Sequence, residues 1–194
     1  RRAARRATAL GRLADAFERR APDLAALISL ENGKVAAEAG FEVSMLARTL
    51  RFQAGLAMQT FGRVLEAKPG SMSMVLREPI GVSGHIIPWN SPAVLFVRSL
   101  APALAAGNCV VMKPAELTPL SSLRIAELMG QVGFPKGVVN IVPSANSGTV
   151  VAAMLEDPRV RVLSFTGSTE VGRLLLAKAA ERVVKCGMEL GGNA

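Results

Sequence analysis

The sequence has no tyrosine, one histidine and two cysteines, and these scarcities exclude several kinds of site. Cys109 and Cys186 cannot form a disulfide framework and lack the spacing of metal ligands. A single histidine, His85, supplies no histidine cluster, so we predict no metal site. No run approaches the roughly 18 apolar residues that cross a bilayer. We therefore expect no membrane partner and a reducing, cytoplasmic setting.

Acidic residues are also few, since 15 Asp and Glu stand against 23 Lys and Arg and give a net charge of +8. Such a balance is one signature of nucleic-acid binding. Much of the charge, however, lies near the start of the chain, in Arg1, Arg2, Arg5, Arg6, Arg12, Arg19 and Arg20. These arginines resemble a transit peptide, but the pattern continues unbroken into Asp15, Glu18 and Asp23. We predict a solvated helix face and no nucleic-acid partner.

Apolar residues recur at helical spacing over about the first 64 residues. Pro22 suits the first turn of a second helix, and Gly33 suits the C-terminal end of that helix. A third amphipathic pattern runs from Lys34 to about Val64. These helices form a layer that needs a sheet to cover.

The pattern changes near residue 71. Residues 71–78 alternate and predict a strand, one arm of a hairpin. Beyond Pro79, short apolar strands alternate with helices, which indicates an α/β fold with a parallel sheet and helices on both faces. The predicted strands are 81–87, 109–113, 138–142, 160–165 and 183–190, and the predicted helices are 92–106, 118–132, 147–155 and 168–181. Thr118 is the predicted N-cap of its helix, with Pro119 at the first helical position.

Ligands of parallel sheets bind beyond the carboxyl ends of the strands, so the residues there are candidate site residues. Gly167 permits a sharp turn, and Ser168 or Thr169 can cap the following helix. The first N–H groups of that helix suit a pyrophosphate, although a plain helix cap explains them equally well. Lys113 and Glu116 suit the hydroxyls of a ribose, and the carboxylate favours NAD over NADP. The alternative is a surface ion pair.

Two further strand ends carry polar groups. Asn90 can donate an amide N–H to an oxyanion, and its alternative role is that of a turn residue. Glu189 is a candidate general base or an exposed strand-end charge. Cys186 and Cys109 lie inside predicted strands beside no base or cation, so we interpret both as inert structural thiols.

Several segments together carry a specific signal: Glu31–Lys34, Glu78–Val82, Ile87–Asn90, Leu100–Asn108, Lys113–Glu116, Gly137–Asn140, Phe165–Gly172 and Glu189–Gly192. In order and spacing they resemble the aldehyde dehydrogenase superfamily over essentially the whole chain. The resemblance implies a helical segment over 1–70, followed by a Rossmann-like NAD(P)-binding domain over 71–194. It also implies that the parent protein oxidises an aldehyde to a carboxylic acid and assembles as a homodimer or homotetramer.

The resemblance assigns roles to individual residues. Asn90 matches the asparagine that stabilises the oxyanion, and Glu189 matches the glutamate that activates water against the thioester. The implied cofactor contacts are Ile86, Ile87, Pro88, Trp89, Lys113, Glu116, Gly167, Ser168 and Leu190. The cofactor is expected to be NAD, with NADP possible.

Three departures from the family pattern limit these expectations. The nucleophilic cysteine of the family lies downstream of the Glu-Leu-Gly-Gly motif, where this chain has already ended, and neither Cys109 nor Cys186 matches it. We therefore expect an excerpt of a longer protein that is inactive by itself. Ser91 replaces a frequent aromatic that shapes the aldehyde tunnel, so a semialdehyde and an aromatic aldehyde both remain open. Residues 143–146 replace a more glycine-rich loop beside the adenine, which leaves NADP open.

Two alternatives to this enzyme remain. The first is a non-catalytic, cofactor-binding relative that never had the cysteine. The second is a CoA-acylating relative, which needs no water-activating base and is therefore disfavoured by Glu189.

Overall fold

The computed structural model describes residues 3–192, so Arg1 and Arg2 of the basic helix lie outside the described residues. Three helices come first: α1 (Ala3–Arg19), α2 (Ala21–Asn32) and α3 (Ala36–Leu56). Pro22 lies in the first turn of α2, and Gly33 follows the helix in the left-handed conformation at φ 82°. Both predictions for α2 are confirmed.

The prediction of helix as far as Val64 is wrong for its last part. After α3, strand β1 (Arg63–Leu65) pairs antiparallel with β2 (Ser73–Val75). A Cβ on Gly62 would lie 2.3 Å from the Val75 carbonyl oxygen, so glycine allows the two arms to approach closely. The hairpin arm predicted over 71–78 is confirmed, although shorter. Its partner strand was missed because helical periodicity cannot reveal a pairing ten residues away.

Beyond the hairpin, strands and helices alternate: β3 (Val82–Ile86), α4 (Pro92–Ala106), β4 (Cys109–Lys113), α5 (Leu120–Gln131), β5 (Val139–Ile141), α6 (Ser147–Glu156), β6 (Val160–Thr166), α7 (Thr169–Ala180) and β7 (Lys185–Glu189). The five strands form one parallel sheet in the order β5-β4-β3-β6-β7. This confirms the predicted fold class. From β3 the chain adds β4 and β5 on one side of that strand, and it then adds β6 and β7 on the other side. The order of the strands therefore reverses between β3 and β6.

Helices cover both faces of the sheet. The larger core contains buried residues of the five helices from α1 through α5, together with strand residues such as Val110 and Met112. A smaller core packs α6 and α7 against Leu163 and Phe165. Since α1–α3 share the first core with α4, the helical segment packs directly on the sheet domain. No helix among residues 3–192 is long and apolar enough to cross a membrane.

The predicted N-cap of α5 is wrong. The helix begins at Leu120, Pro119 is its N-cap residue, and the buried Thr118 hydroxyl has no hydrogen-bond partner among the described residues. The carboxylate of Glu31, from α2, instead accepts the N–H groups of Leu120 and Ser121, the latter at 3.0 Å. A carboxylate satisfies two N–H groups at once and also opposes the positive end of the helix dipole.

The basic face of α1 is not wholly solvated. The Arg6 Nε donates to the Ala105 carbonyl oxygen at 2.8 Å, near the C-terminal end of α4. Carbonyl groups at a helix end lack helical partners and favour a cation. One of the arginines predicted to be purely solvated therefore fastens α1 to α4.

Candidate functional site

The carboxyl ends of four neighbouring strands lie along one edge of the sheet. Ile86 at the end of β3 pairs in register with Lys113 of β4 and Phe165 of β6. At the outer side, Thr166 of β6 pairs with Glu189 of β7. The strand order reverses between β3 and β6, and parallel α/β sheets bind ligands at such a switch point. The candidates predicted from separate segments therefore meet at one edge.

Lys113, Glu116 and Ser147 form a hydrogen-bonded cluster at the end of β4. Lys113 is only 2% exposed, and its Nζ donates to Glu116 Oε2 at 2.9 Å. The Ser147 hydroxyl, on α6, donates to the same oxygen at 3.0 Å. The Lys113 bond, with help from the Glu116 backbone and from Ser147, lowers the pKa of Glu116 to about 2. The pair is thus an exposed, ionised carboxylate on a buried ammonium, not a surface ion pair.

Ser147 was not a sequence candidate. It lies 31 residues from Glu116 and begins the next crossover helix. The hydroxyl in the first turn of a predicted helix was visible in the sequence. Only the packing of α6 beside β4 shows what it contacts.

The start of α7 is built by Gly167 and Ser168. Ser168 is the N-cap, and its hydroxyl oxygen accepts the Val171 N–H at 3.3 Å. The chain bends at Gly167, as predicted, although its φ lies outside the left-handed region. Glycine is required there for space, since a Cβ would lie 2.5 Å from the Phe165 ring. The Gly167 N–H also donates to the Glu189 carbonyl oxygen at 3.1 Å, which joins the ends of β6 and β7.

Leu190 packs against the first turn of α7, where a Cβ on Gly172 would lie 2.5 Å from Leu190 Cδ2. Leu190 therefore lies beside the helix start that carries Ser168.

The residues after β3 differ in exposure. Ile87 is 4% exposed and belongs to the larger core, and its N–H donates to the Lys113 carbonyl oxygen at 3.0 Å. Ile86 and Pro88 are half-buried, whereas Trp89 is 57% exposed. A ligand at this edge can therefore contact the side chains of Ile86, Pro88 and Trp89, while the Ile87 side chain faces the interior.

Asn90 lies exposed in the turn between β3 and α4. Side chains from the α2–α3 turn contact both of its neighbours. Asn32 donates to the Trp89 carbonyl oxygen at 2.7 Å, and Lys34 donates to the Ser91 hydroxyl oxygen at 2.9 Å. The Glu31–Lys34 segment carried part of the family resemblance, but no local sequence signal shows that it reaches this turn.

Glu189 ends β7 with its carboxylate half exposed. Oε1 accepts a hydrogen bond from Arg98 of α4 at 2.9 Å. Both side chains line a cleft of about 380 Å³ between α4 and the sheet. Arg98 was missed because an arginine on an amphipathic helix is ordinarily a solvated charge.

His85 lies buried beside the same cleft. Its ring nitrogens are hydrogen-bonded to the hydroxyls of Ser99 and Ser83. Burial lowers the pKa of His85 to about 4, so the ring is neutral at pH 7. Among residues 3–192, no three His, Cys, Asp or Glu side chains are grouped to hold a metal ion.

Cys186 lies within β7, as its interpretation as a structural thiol required. Partial burial raises the pKa of its thiol, and the thiol donates to the Val184 carbonyl oxygen at 3.4 Å. Neither property suits a nucleophile, which must be a thiolate.

Comparison with known proteins identifies the family. The model of the aldehyde dehydrogenase family matches residues 1–194, and the chain therefore belongs to this family. It is 43% identical over 188 residues to hydroxyisobutyraldehyde dehydrogenase of Mycolicibacterium austroafricanum, covering 97% of this chain and 37% of that protein. It is 42% identical over 190 residues to succinate-semialdehyde dehydrogenase of Paenarthrobacter nicotinovorans, covering 97% of this chain and 42% of that protein.

Solved structures share the fold. An NADP dependent enzyme of E. coli superimposes with a TM-score of 0.97 at 41% identity, over 100% of this chain and 40% of that one. PnpE in complex with nicotinamide adenine dinucleotide superimposes with a TM-score of 0.94 at 42% identity, over 98% of this chain and 39% of that one. The chain thus spans about two fifths of the length of the proteins it matches.

Proposed function

We propose that this chain is the cofactor-binding part of an NAD(P)-dependent aldehyde dehydrogenase that oxidises an aldehyde to a carboxylic acid. The Lys113–Glu116–Ser147 cluster carries the proposal, because it holds an ionised carboxylate at the edge of the sheet that also bears Asn90 and Glu189. Ligands of open α/β sheets bind outside the carboxyl ends of the strands, which is the edge where this cluster lies.

The residues present fit the cofactor. The Glu116 carboxylate keeps acceptor capacity for ribose hydroxyls, since it is half exposed. The first turn of α7, a twelve-residue helix, offers N–H groups to a pyrophosphate, and Gly167 leaves no side chain in the way. Ile86, Pro88, Trp89 and Leu190 are placed to contact the rest of the molecule.

A nicotinamide cofactor, held by Glu116 and the first turn of α7, would supply the hydride acceptor for the oxidation of the aldehyde. The attacking cysteine of the family has no counterpart among residues 1–194, since neither Cys109 nor Cys186 matches it. The Asn90 amide donates to the oxygen that becomes negatively charged when the carbonyl is attacked. Glu189 accepts a proton from the water that hydrolyses the resulting thioester.

Cofactor choice is tested by calorimetry on the full-length protein with NAD and NADP. The carboxylate of Glu116 would repel a 2′-phosphate, so Glu116→Ala should weaken NAD more than NADP. Glu127→Ala, which removes an exposed carboxylate of α5, should change neither. If NADP binds better and Glu116→Ala changes nothing, the NAD assignment and the ribose role of Glu116 are both wrong.

Arg98 favours an acidic semialdehyde as substrate, the kind named in the Paenarthrobacter relative. It is the only cation among the described residues that line the cleft. A substrate carboxylate can replace Glu189 as its partner, which would leave Glu189 free to act on water. The wild type should then prefer succinate semialdehyde to butanal, and Arg98→Gln should remove the preference. Equal use of both aldehydes by the wild type would exclude this substrate class.

The non-catalytic alternative predicts cofactor binding without turnover. Aldehyde-dependent formation of NADH or NADPH by the full-length protein distinguishes the two. The homodimeric or homotetrameric state of the parent also stays a proposal, which light scattering on the full-length protein tests.

A further inference from the structure

We propose that Asn32, the last residue of α2, and Lys34, in the turn that follows, position Asn90 by holding the residues on both sides of it. The inference rests on the oxyanion role proposed above for Asn90. Asn32 and Lys34 act only through the turn that carries Asn90, so they are positioning residues.

Asn32 holds the peptide unit that precedes Asn90. Its Nδ2 donates to the Trp89 carbonyl oxygen at 2.7 Å. That carbonyl and the Asn90 N–H belong to one planar peptide unit, so the bond fixes the plane from which Asn90 departs. Gly33, at φ 82°, ends α2 immediately afterwards and leaves Asn32 at the tip of the helix.

Lys34 holds the residue that follows Asn90. Its Nζ donates to the Ser91 hydroxyl oxygen at 2.9 Å and also pairs with the Glu42 carboxylate. Glu42 is 4% exposed, and its other oxygen accepts two backbone N–H groups in the first turn of α4, at 3.0 and 2.9 Å. A buried carboxylate with several partners is a rigid anchor, so Lys34 connects Ser91 to the core.

The exposed Asn90 side chain is directed by the backbone that these contacts hold. An oxyanion donor acts only within about 2.7–3.1 Å of its target, and a displacement of about 1 Å costs up to about 100-fold in rate. The Lys34 contact also depends on the identity of residue 91. Ser91 supplies the hydroxyl oxygen that accepts the hydrogen bond, whereas the aromatic residue frequent at this position in the family pattern would not accept it if it lacked a hydroxyl.

A double-mutant cycle in the full-length protein tests the inference. The rate of the first turnover, followed as NADH or NADPH formed in a burst, is measured for the wild type, Asn32→Ala, Asn90→Ala and the double variant. Asn32→Ala should slow the burst by about tenfold without changing the dissociation constant of NAD(P). In the Asn90→Ala background the same substitution should change the rate by less than about twofold, because residues that act through one another are not additive.

Matched variants separate positioning from folding. Asn32→Leu keeps roughly the size of the side chain, cannot donate and adds no charge beside the C-terminal carbonyls of α2, so it should slow the burst like Asn32→Ala at an unchanged melting temperature. Ser91→Ala removes the second anchor and leaves the Lys34–Glu42 pair intact, so it should slow the burst in the same direction. Asn140→Ala removes an equivalent amide, which donates to the Val110 and Gly137 carbonyls at 3.3 and 3.0 Å, and should leave the rate unchanged.

Two results overturn the inference while leaving the proposed function in place. The first is a burst rate that Asn32→Ala leaves unchanged although Asn90→Ala lowers it. The second is a burst rate that Asn32→Ala lowers by the same factor in the wild type and in the Asn90→Ala variant. If Asn90→Ala itself leaves the burst unchanged, the oxyanion role fails, and the inference that depends on it fails too.

Discussion

The Lys113 ammonium lies 2.9 Å from the Glu116 carboxylate, and the two side chains differ sharply in burial, at 2% and 50% exposed. The lysine is held inside the sheet by its position at the end of β4, while the carboxylate points outward at the edge where the strand order reverses. An ion pair arranged in this way presents an oriented negative charge to solvent. The effect of this ion pair can be measured as a contribution to the free energy of unfolding and as the dependence of that contribution on pH.

Glu116 should stabilise the folded chain above pH 4.5 and lose that effect in acid. Its pKa falls from 4.5 to about 2 on folding, chiefly through the Lys113 bond. A group with a depressed folded pKa contributes stability above its unfolded pKa and loses it as pH falls through the folded pKa. Because the side chain is half exposed, we expect only about 1 kcal/mol.

Urea unfolding of the wild type and Glu116→Gln measures this effect. The difference in unfolding free energy should be constant from pH 7 to about 5 and shrink between about 4.5 and 2. A difference that persists unchanged at pH 2 would show that the Glu116 charge is not its source.

Glu42→Ala should be among the most destabilising single substitutions. The variant leaves the Lys34 ammonium and two N–H groups of α4 without their buried acceptor. Breaking a buried pair in this way costs about 3–5 kcal/mol. Glu127→Ala, which removes an exposed carboxylate beside Arg124, should cost less than about 1 kcal/mol. Chemical denaturation of both variants at pH 7 provides the comparison, and equal losses would contradict an anchoring role for Glu42.

Gly167→Ala should destabilise the chain through a steric clash. The new methyl carbon would lie 2.5 Å from the ring of Phe165, which is 5% exposed and packed in the smaller core. Overpacking of this kind costs about 1–3 kcal/mol. Gly130→Ala, in α5, where a Cβ would meet no atom within 4 Å outside the adjacent backbone of the helix, should instead stabilise by roughly 0.5–1 kcal/mol. A Gly167→Ala variant that melts like the wild type would show that Phe165 moves aside freely.

Residues 1–194 expressed alone should self-associate. The β1–β2 hairpin and its flanks expose large apolar side chains: Phe61 (70%), Val64 (75%), Met72 (75%) and Leu76 (69%). Two paired strands with unpaired outer edges and apolar surface invite further pairing. Light scattering coupled to size exclusion should show oligomers, and Val64→Thr with Leu76→Thr should reduce them. A monodisperse, cooperatively melting monomer of the unmodified chain would refute this expectation.

Elements with strong local signals were predictable, and those that depend on distant partners were not. The alternation after Pro79 located the whole parallel sheet. Of the two candidate caps of α7, Ser168 and Thr169, the structure shows that Ser168 caps the helix. The sequence failed at β1, where the pairing partner lies beyond Gly70, and at α5, whose cap comes from Glu31 some 89 residues away.

The candidate site shows the same division. Lys113 and Glu116 are three residues apart after a buried strand, so their pairing was within reach of the sequence. Ser147 and Arg98 add a hydroxyl and a cation to this edge from separate helices. Glycine at position 167 was expected for the conformational freedom of its backbone. The structure shows that the Phe165 ring also leaves no space there for a Cβ.

The sequence by itself determined the family, the fold class and the residues at the carboxyl edge of the sheet. Hydrophobic period and strand-end chemistry are local properties, and a parallel sheet brings all its carboxyl ends together whatever the details. Only the tertiary structure decided which groups hold those residues in place: Glu31 on α5, Asn32 and Lys34 around Asn90, and Arg98 on Glu189. These contacts join residues 57 to 91 positions apart, from Asn32 with Trp89 to Arg98 with Glu189. Their formation depends on how the helices pack against the sheet, and no local pattern encodes that packing.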